Sequence, residues 1–98
     1  MKIKGWNQEY EVKIEKTKYM NNGNLAISLI CYDDEYKYWE PYGILTVNFD
    51  EKLPEDYAYV DTNNMPNAEQ FIEENKLGEF VGKYKMSGFC CYPLYKFY

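Results

Sequence analysis

YVDTNNMPNAEQFIEEN (residues 59–75) is where the chain changes its periodicity, and that change decides the fold class. Tyr59 and Val60 close a β-type run. Asp61-Thr62-Asn63-Asn64 then interrupts it with polar residues that favour turns. Beyond them Ala68, Phe71 and Ile72 recur at helical spacing, so a short helix is expected over about residues 66–76. Pro66 suits a first turn, where its missing N–H is not needed. Asn67 with Gln70 three residues on resembles a capping box, and Asn64 is an alternative N-cap. Glu69 and Lys76 complement the helix dipole, and Gly78 can take the left-handed conformation that ends a helix. About three turns are too few to stand alone, so the Phe71/Ile72 face must pack on a sheet. Burying those two side chains is worth about 2 kcal/mol each.

The sheet is readable on both sides of this helix. Tyr10, Val12 and Ile14 alternate with Glu11, Lys13 and Glu15. Lys2-Ile3-Lys4 can pair back on them through Gly5-Trp6-Asn7-Gln8. Asn21-Asn22-Gly23-Asn24 is a turn. LAISLICY (25–32) is apolar on both faces, as a central strand is. Asp33-Asp34-Glu35 turns the chain, and Tyr42–Phe49 reads as a strand with Leu45, Val47 and Phe49 on one face. Asp50–Asp56 is an acidic loop broken by Pro54, and Tyr57–Val60 a short strand. After the helix, Phe80–Met86 alternates, Ser87-Gly88 turns, and Phe89–Phe97 returns as the last strand. Pro93 there calls for an edge or a bulge. The expectation is one α+β domain over residues 1–98: an antiparallel sheet of about five to seven strands carrying one short helix.

Composition narrows function by exclusion. Aromatics are 19% of the 98 residues, too many for a disordered chain. No apolar run approaches the roughly 18 residues that span a bilayer, and the basic N-terminus has no apolar stretch behind it, so a cytoplasmic protein with no membrane role is expected. Net charge is −5, with eleven lysines and no arginine. Residues 33–79 hold thirteen carboxylates against three lysines, while the ends are basic. Direct nucleic-acid binding is not expected from this balance, whereas an acidic middle suits a basic protein surface. The plainer reading is a set of solvated loops and helix faces.

Catalytic chemistry has few candidates. There is no histidine, which removes Ser-His-Asp and Cys-His arrangements. No phosphate-binding glycine motif occurs, and no carboxylate pair stands out for hydrolysis. Three cysteines without C-x-x-C spacing do not make a zinc site, so neither metal nor cofactor is expected. Of the adjacent Cys90 and Cys91, one is expected in the core and the other half-exposed, since neighbours on a strand face opposite ways. Two stretches remain. Asp61, Asn63 and Asn64 lie before the helix, where they could line a polar pocket, with Asp61 as a base and the amides orienting a ligand. They could equally satisfy the free N–H groups of the helix and the turn. YDDEYKYWEPY (32–42) packs aromatics among carboxylates. At a hairpin tip Asp33, Asp34, Glu35, Tyr36, Tyr38 and Trp39 would form an interaction surface, or the rings would pack locally across strands.

The set V-D-T-N-N-M-P-N-A-E-Q-F-I-E-E-N-x-L-G, S-G-F-C and Y-P-L-Y-K-F resembles a family of short, uncharacterised proteins met on Gram-positive conjugative elements, plasmids and phages. The likeness runs from Asn24-Leu25-Ala26 through Leu45-Thr46-Val47-Asn48 to the C-terminus. It takes in Asp61, Thr62, Asn63, Asn64, Pro66, Phe71, Ile72, Leu77, Gly78, Ser87, Gly88, Phe89, Cys90, Tyr92, Pro93, Leu94 and Tyr95. Cys91 and the aromatic stretch 36–39 stand outside it. No activity comes with the family. The resemblance implies an accessory factor of a mobile element, of the kind that blocks a host defence protein such as an anti-CRISPR or anti-restriction inhibitor. The expected function is therefore non-enzymatic protein binding through the acidic aromatic middle, onto a host or element-encoded protein with a basic surface. The alternatives are a small-molecule or peptide binder using the Asp61–Asn64 loop, and a structural module, monomer or homodimer, pairing through an edge strand such as the last one.

Overall fold

Leu25–Asp33 (β3) is the central strand that its two-faced apolarity predicts. It lies between β2 (Glu9–Lys18) and β4 (Tyr38–Ile44), and β1 (Lys2–Lys4) completes an antiparallel sheet in the order β1-β2-β3-β4. The computed structural model describes residues 1–5 and 8–98. The hairpin expected through Gly5-Trp6-Asn7-Gln8 is present as the β1–β2 pairing, but Trp6 and Asn7 lie outside the described residues. Val12 stands opposite Cys31, and Ile14 opposite Leu29, so one face of the sheet is apolar and buried.

A second antiparallel sheet holds β5 (Thr46–Val47), β6 (Tyr57–Val60), β7 (Gly78–Ser87) and β8 (Cys90–Phe97) in the order β5-β6-β8-β7. The helix α1 (Ala68–Glu74) connects β6 to β7. The α+β expectation holds, but the described residues form eight strands in two sheets rather than five to seven in one. The difference arises at Leu45. The strand expected over Tyr42–Phe49 begins at Tyr38 and breaks at Leu45, where the chain passes from one sheet to the other. The Leu45 N–H donates to Ile27 O of β3, and its carbonyl accepts from Asp61 N, just after β6. A strand that changes sheets at a corner keeps its backbone paired while turning its side chains into a different layer. Hydrophobic periodicity does not register such a switch, because Leu45 is buried either way.

One core joins the layers. Ile3, Val12, Ile27, Leu29 and Cys31 from the first sheet meet Leu45, Ala58, Val60, Tyr95 and Phe97, with Ala68, Phe71 and Ile72 of α1. A smaller cluster of Leu53, Tyr59 and Leu94 lies on the other side of the second sheet, under loop 48–56. Asparagines fasten that loop. The Asn24 amide donates to Asn48 Oδ1 (3.1 Å) and Glu51 O (2.7 Å), and its oxygen accepts from Leu53 N (2.9 Å). Asn22 adds a bond to Phe49 O at 3.0 Å. The Asn21–Asn24 turn is thus also a latch, and the buried Asn24 is fully hydrogen-bonded, as a buried amide must be.

The helix is shorter than the expected 66–76, and its ends differ. Asn67 is the N-cap residue, but its side chain donates to Lys4 O at 3.0 Å instead of accepting from a helix N–H. Gln70 reaches forward to Glu74 at 2.7 Å, so no capping box forms. The left-handed residue at the far end is Lys76, not Gly78. Gly78 opens β7, where a Cβ would stand 2.6 Å from Lys96 O; close strand approach explains that glycine. The last strand is likewise not an edge: β8 is interior, and Pro93 lies beside a register shift in β7 between Phe80 and Tyr84.

Candidate functional site

The β3–β4 hairpin gathers the acidic aromatic stretch as its residue types suggest, but divides it. Asp33 is structural. Its Oδ1 accepts the N–H of Glu35 (2.9 Å) and of Tyr36 (3.1 Å), and Lys37 takes positive φ to close the turn. Trp39 pairs with Tyr32 across the strands (5.3 Å between ring centroids), with the Lys13 ammonium 4.6 Å over its ring. Tyr38 occupies the opposite face, 6.3 Å from Tyr36, and its hydroxyl donates to Glu40 Oε2 at 3.2 Å. That bond to Glu40 holds the Tyr38 phenol above its ordinary pKa. Tyr36 is 68% exposed, Tyr38 48% and Trp39 40%. Asp34 and Glu35 are exposed, and among the described residues neither joins an ion pair. Asp34, Glu35, Tyr36 and Tyr38 are therefore free to contact a partner, whereas Asp33 builds the turn that presents them.

Cys31 lies below this hairpin, 3.9 Å from Glu40 Oε1. Burial first, then the carboxylates of Glu40 and Asp33, push its thiol up, which keeps it protonated and unreactive. Cys90 is half-buried and Cys91 exposed, so neither is the core residue expected of the pair.

The Asp61–Asn64 loop is a self-contained turn three residues before the helix begins. Asp61 accepts the backbone N–H of Asn64 (3.2 Å) and its side-chain amide (2.9 Å), and Met65 N donates to Asp61 O. Asp61 and Asn64 thus satisfy each other rather than the helix. Asn63 points into solvent on the exposed side of the turn. The turn presses Met65 onto the first sheet, where a Cβ on Gly43 would stand 2.6 Å from Met65 Cε. Two shallow hollows of about 380 and 440 Å³ flank Met65, both lined by Tyr42 and Asn64, one of them also by Asp61. Burial, with Tyr10 beside it, raises the Tyr42 phenol. Nothing in this arrangement places a base against an activated group.

A second exposed aromatic surface lies on β7 and the β7–β8 turn. Phe80, Tyr84 and Met86 project from the open edge strand, and Phe89 at the turn is fully exposed. Its sequence signals are Gly82 inside a strand pattern and Pro93, which stands opposite Tyr84.

Among the described residues no three or more Cys, Asp or Glu side chains converge as metal ligands, and no helix is long and apolar enough to cross a membrane. No curated protein and no solved structure matches the chain. Residues 13–98, nearly the whole of both sheets and the helix between them, match the model of a domain of unknown function, DUF4313, and the chain belongs to that family.

Proposed function

We propose that the protein is a non-enzymatic binding factor that docks the tip of its β3–β4 hairpin on a basic protein surface. The observation that carries this reading is the tip itself: Asp34 and Glu35, exposed and without an ion pair among the described residues, beside the exposed rings of Tyr36 and Tyr38. Tyrosine and tryptophan at a surface supply contact area at low entropic cost, and unpaired carboxylates steer a basic partner and fix its register. The resemblance to proteins of mobile elements supports a host-defence nuclease, blocked at its nucleic-acid channel, as the partner class, with the factor acting in the cytoplasm.

Purified protein with Asp34→Lys and Glu35→Lys tests the reading against the unaltered chain, each as bait in extract at low and at high salt. The charge-reversed protein should fold normally and lose the partners that the unaltered protein retains only at low salt. Equal capture by both, with the same salt dependence, removes the hairpin from the function. The hollows beside Met65 favour one further reading, a small ligand held by Tyr42, Asn64 and Asp61. Asn64→Ala would then lose the ligand and stay folded.

A further inference from the structure

We infer that two copies of the chain pair antiparallel through β7, about a two-fold axis at Gly82, and so join their second sheets into one. The outermost of the described strands are β1, β4, β5 and β7. β1 has three residues and β5 two, and β4 carries Pro41. Short edges and proline keep a sheet from adding a strand. β7 has ten residues and no proline. It also leaves Phe80, Val81, Tyr84 and Met86 exposed, an apolar content that suits a covered strand better than a free edge.

A bulge can close an edge by re-aiming its side chains. This one preserves their alternation. Four steps along β7, from Phe80 to Tyr84, span two along β8, from Tyr95 to Pro93. The excess is even, so the residues on either side of the bulge keep their faces. Phe80 and Tyr84 stand on one face, with their rings 5.1 Å apart. Lys85 stands on the other, its ammonium 3.4 Å from Glu51 and 5.7 Å from the centre of the Phe49 ring. Glu79, next to Phe80, shares the face of Lys85.

Charge selects the occupant. Glu79 lies near one end of β7 and Lys85 near the other, and Glu79 makes no ion pair among the described residues. Residues directly opposite on antiparallel strands share a face and interact. An axis at Gly82 therefore sets Glu79 of each copy against Lys85 of the other, and Phe80 of each against Tyr84 of the other. Gly82 brings no side chain to the axis, and the space beside it is open, since a Cβ there would meet nothing within 4 Å. Other registers are worse. A slip of one residue sets the charged face of one copy against the aromatic face of the other. An axis at Lys83 opposes the two Lys83 ammoniums, and an axis at Val81 leaves Phe80 facing Gly82. This contact lies on the second sheet and does not depend on the β3–β4 hairpin being a docking surface.

The test is sedimentation equilibrium of the purified protein over a wide concentration range. A reversible dimer is expected. Glu79→Lys and Lys85→Glu should each weaken it about tenfold, because each sets like charges against each other. An equimolar mixture of the two variants should recover the dimer, since every lysine at positions 79 and 85 of one copy then meets a carboxylate of the other. Hydrogen exchange of the unaltered chain reads the same contact without substitution. Amides of residues 78–80 and 84–86 should gain protection as concentration rises. A monomer at every concentration would overturn the inference and leave this edge to a strand of another protein. Association unchanged in both single variants, no recovery on mixing them, or protection gained at β4 instead would each overturn it too. None of these outcomes bears on capture of a partner by the hairpin tip.

Discussion

The two open hairpins of this protein expose aromatic rings by opposite means. At β3–β4 the turn is closed by Asp33, the pair's register shift lies away from the tip between Leu29 and Ile30, and the rings stay out because the neighbouring residues are charged. At β7–β8 the strand itself is distorted, and a bulge draws Phe80 and Tyr84 together beside the helix. One surface is made by side-chain chemistry, the other by backbone geometry. Substitution should therefore be harmless to stability at the first and damaging at the second.

The largest effect should come from the residue on which both depend. Leu45 is fully buried and joins the two sheets through its backbone. Leu45→Ala should destabilise the protein by about 2–5 kcal/mol, and both sheets should unfold in a single transition. Urea melts followed by tryptophan fluorescence and by far-ultraviolet circular dichroism would separate if the sheets were independent.

Gly82→Val should come next. A β-branched side chain at φ +84° is strained, so a loss of about 1–3 kcal/mol is expected, together with dispersal of the Phe80–Tyr84 contact. By contrast, Asp34→Lys with Glu35→Lys should change stability by about 0.5 kcal/mol or less. Equal losses at the two sites would erase the distinction between a chemical and a geometric surface.

The same distinction governs what the sequence discloses. The charge run of residues 33–35 and the rings at 36, 38 and 39 lie next to one another in the chain, so the first surface could be read directly. So could the central strand Leu25–Asp33 and the packed face of Phe71 and Ile72. The second surface is not legible, because Phe80, Tyr84 and Tyr95 converge only after β8 inserts between β6 and β7 and β7 bulges. Pro93 did signal a bulge, but not that the bulge would lie in the neighbouring strand. The sheet switch at Leu45 left no trace, because one alternating run served two sheets. Asp61–Asn64 suits a helix cap or a pocket by residue type, yet the Asp61 carboxylate accepts from the Asn64 backbone and side-chain amide.

Alkaline conditions sharpen the comparison at Tyr95. Burial first, and then Glu69 and Glu73, raise its phenol far above the usual tyrosine value. The folded state therefore holds a proton that the unfolded chain releases above about pH 10, and stability falls as pH rises beyond that point. Tyr59 and Tyr42 act in the same direction through burial. Tyr95→Phe removes both the hydroxyl, which has no hydrogen-bond partner among the described residues, and its titration. The variant should be as stable as the parent at pH 7, or more so by about 1 kcal/mol, and should lose less stability between pH 9 and pH 11. A marked loss at neutral pH would mean that the hydroxyl has a partner after all.

The smallest effect is expected from the carboxylates that tie each sheet at its margin. Glu51 accepts from the Tyr59 hydroxyl at 3.1 Å, with the Lys85 ammonium at 3.4 Å, and these lower its pKa. Glu11 on the first sheet is lowered by the N-terminal ammonium at 3.0 Å. A carboxyl lowered on folding stabilises above its unfolded pKa, near 4.3, and that contribution disappears as pH falls through the folded value. The melting temperatures of Glu51→Gln and of the parent should therefore differ at pH 7 and converge by about pH 3. Glu11→Gln should show the same convergence from a smaller starting gap, because its partner is a solvated chain end while the Glu51 partner, Tyr59, is buried. A larger gap for Glu11 would place the more important tether on the first sheet, at the chain end rather than at the loop that Asn24 already holds.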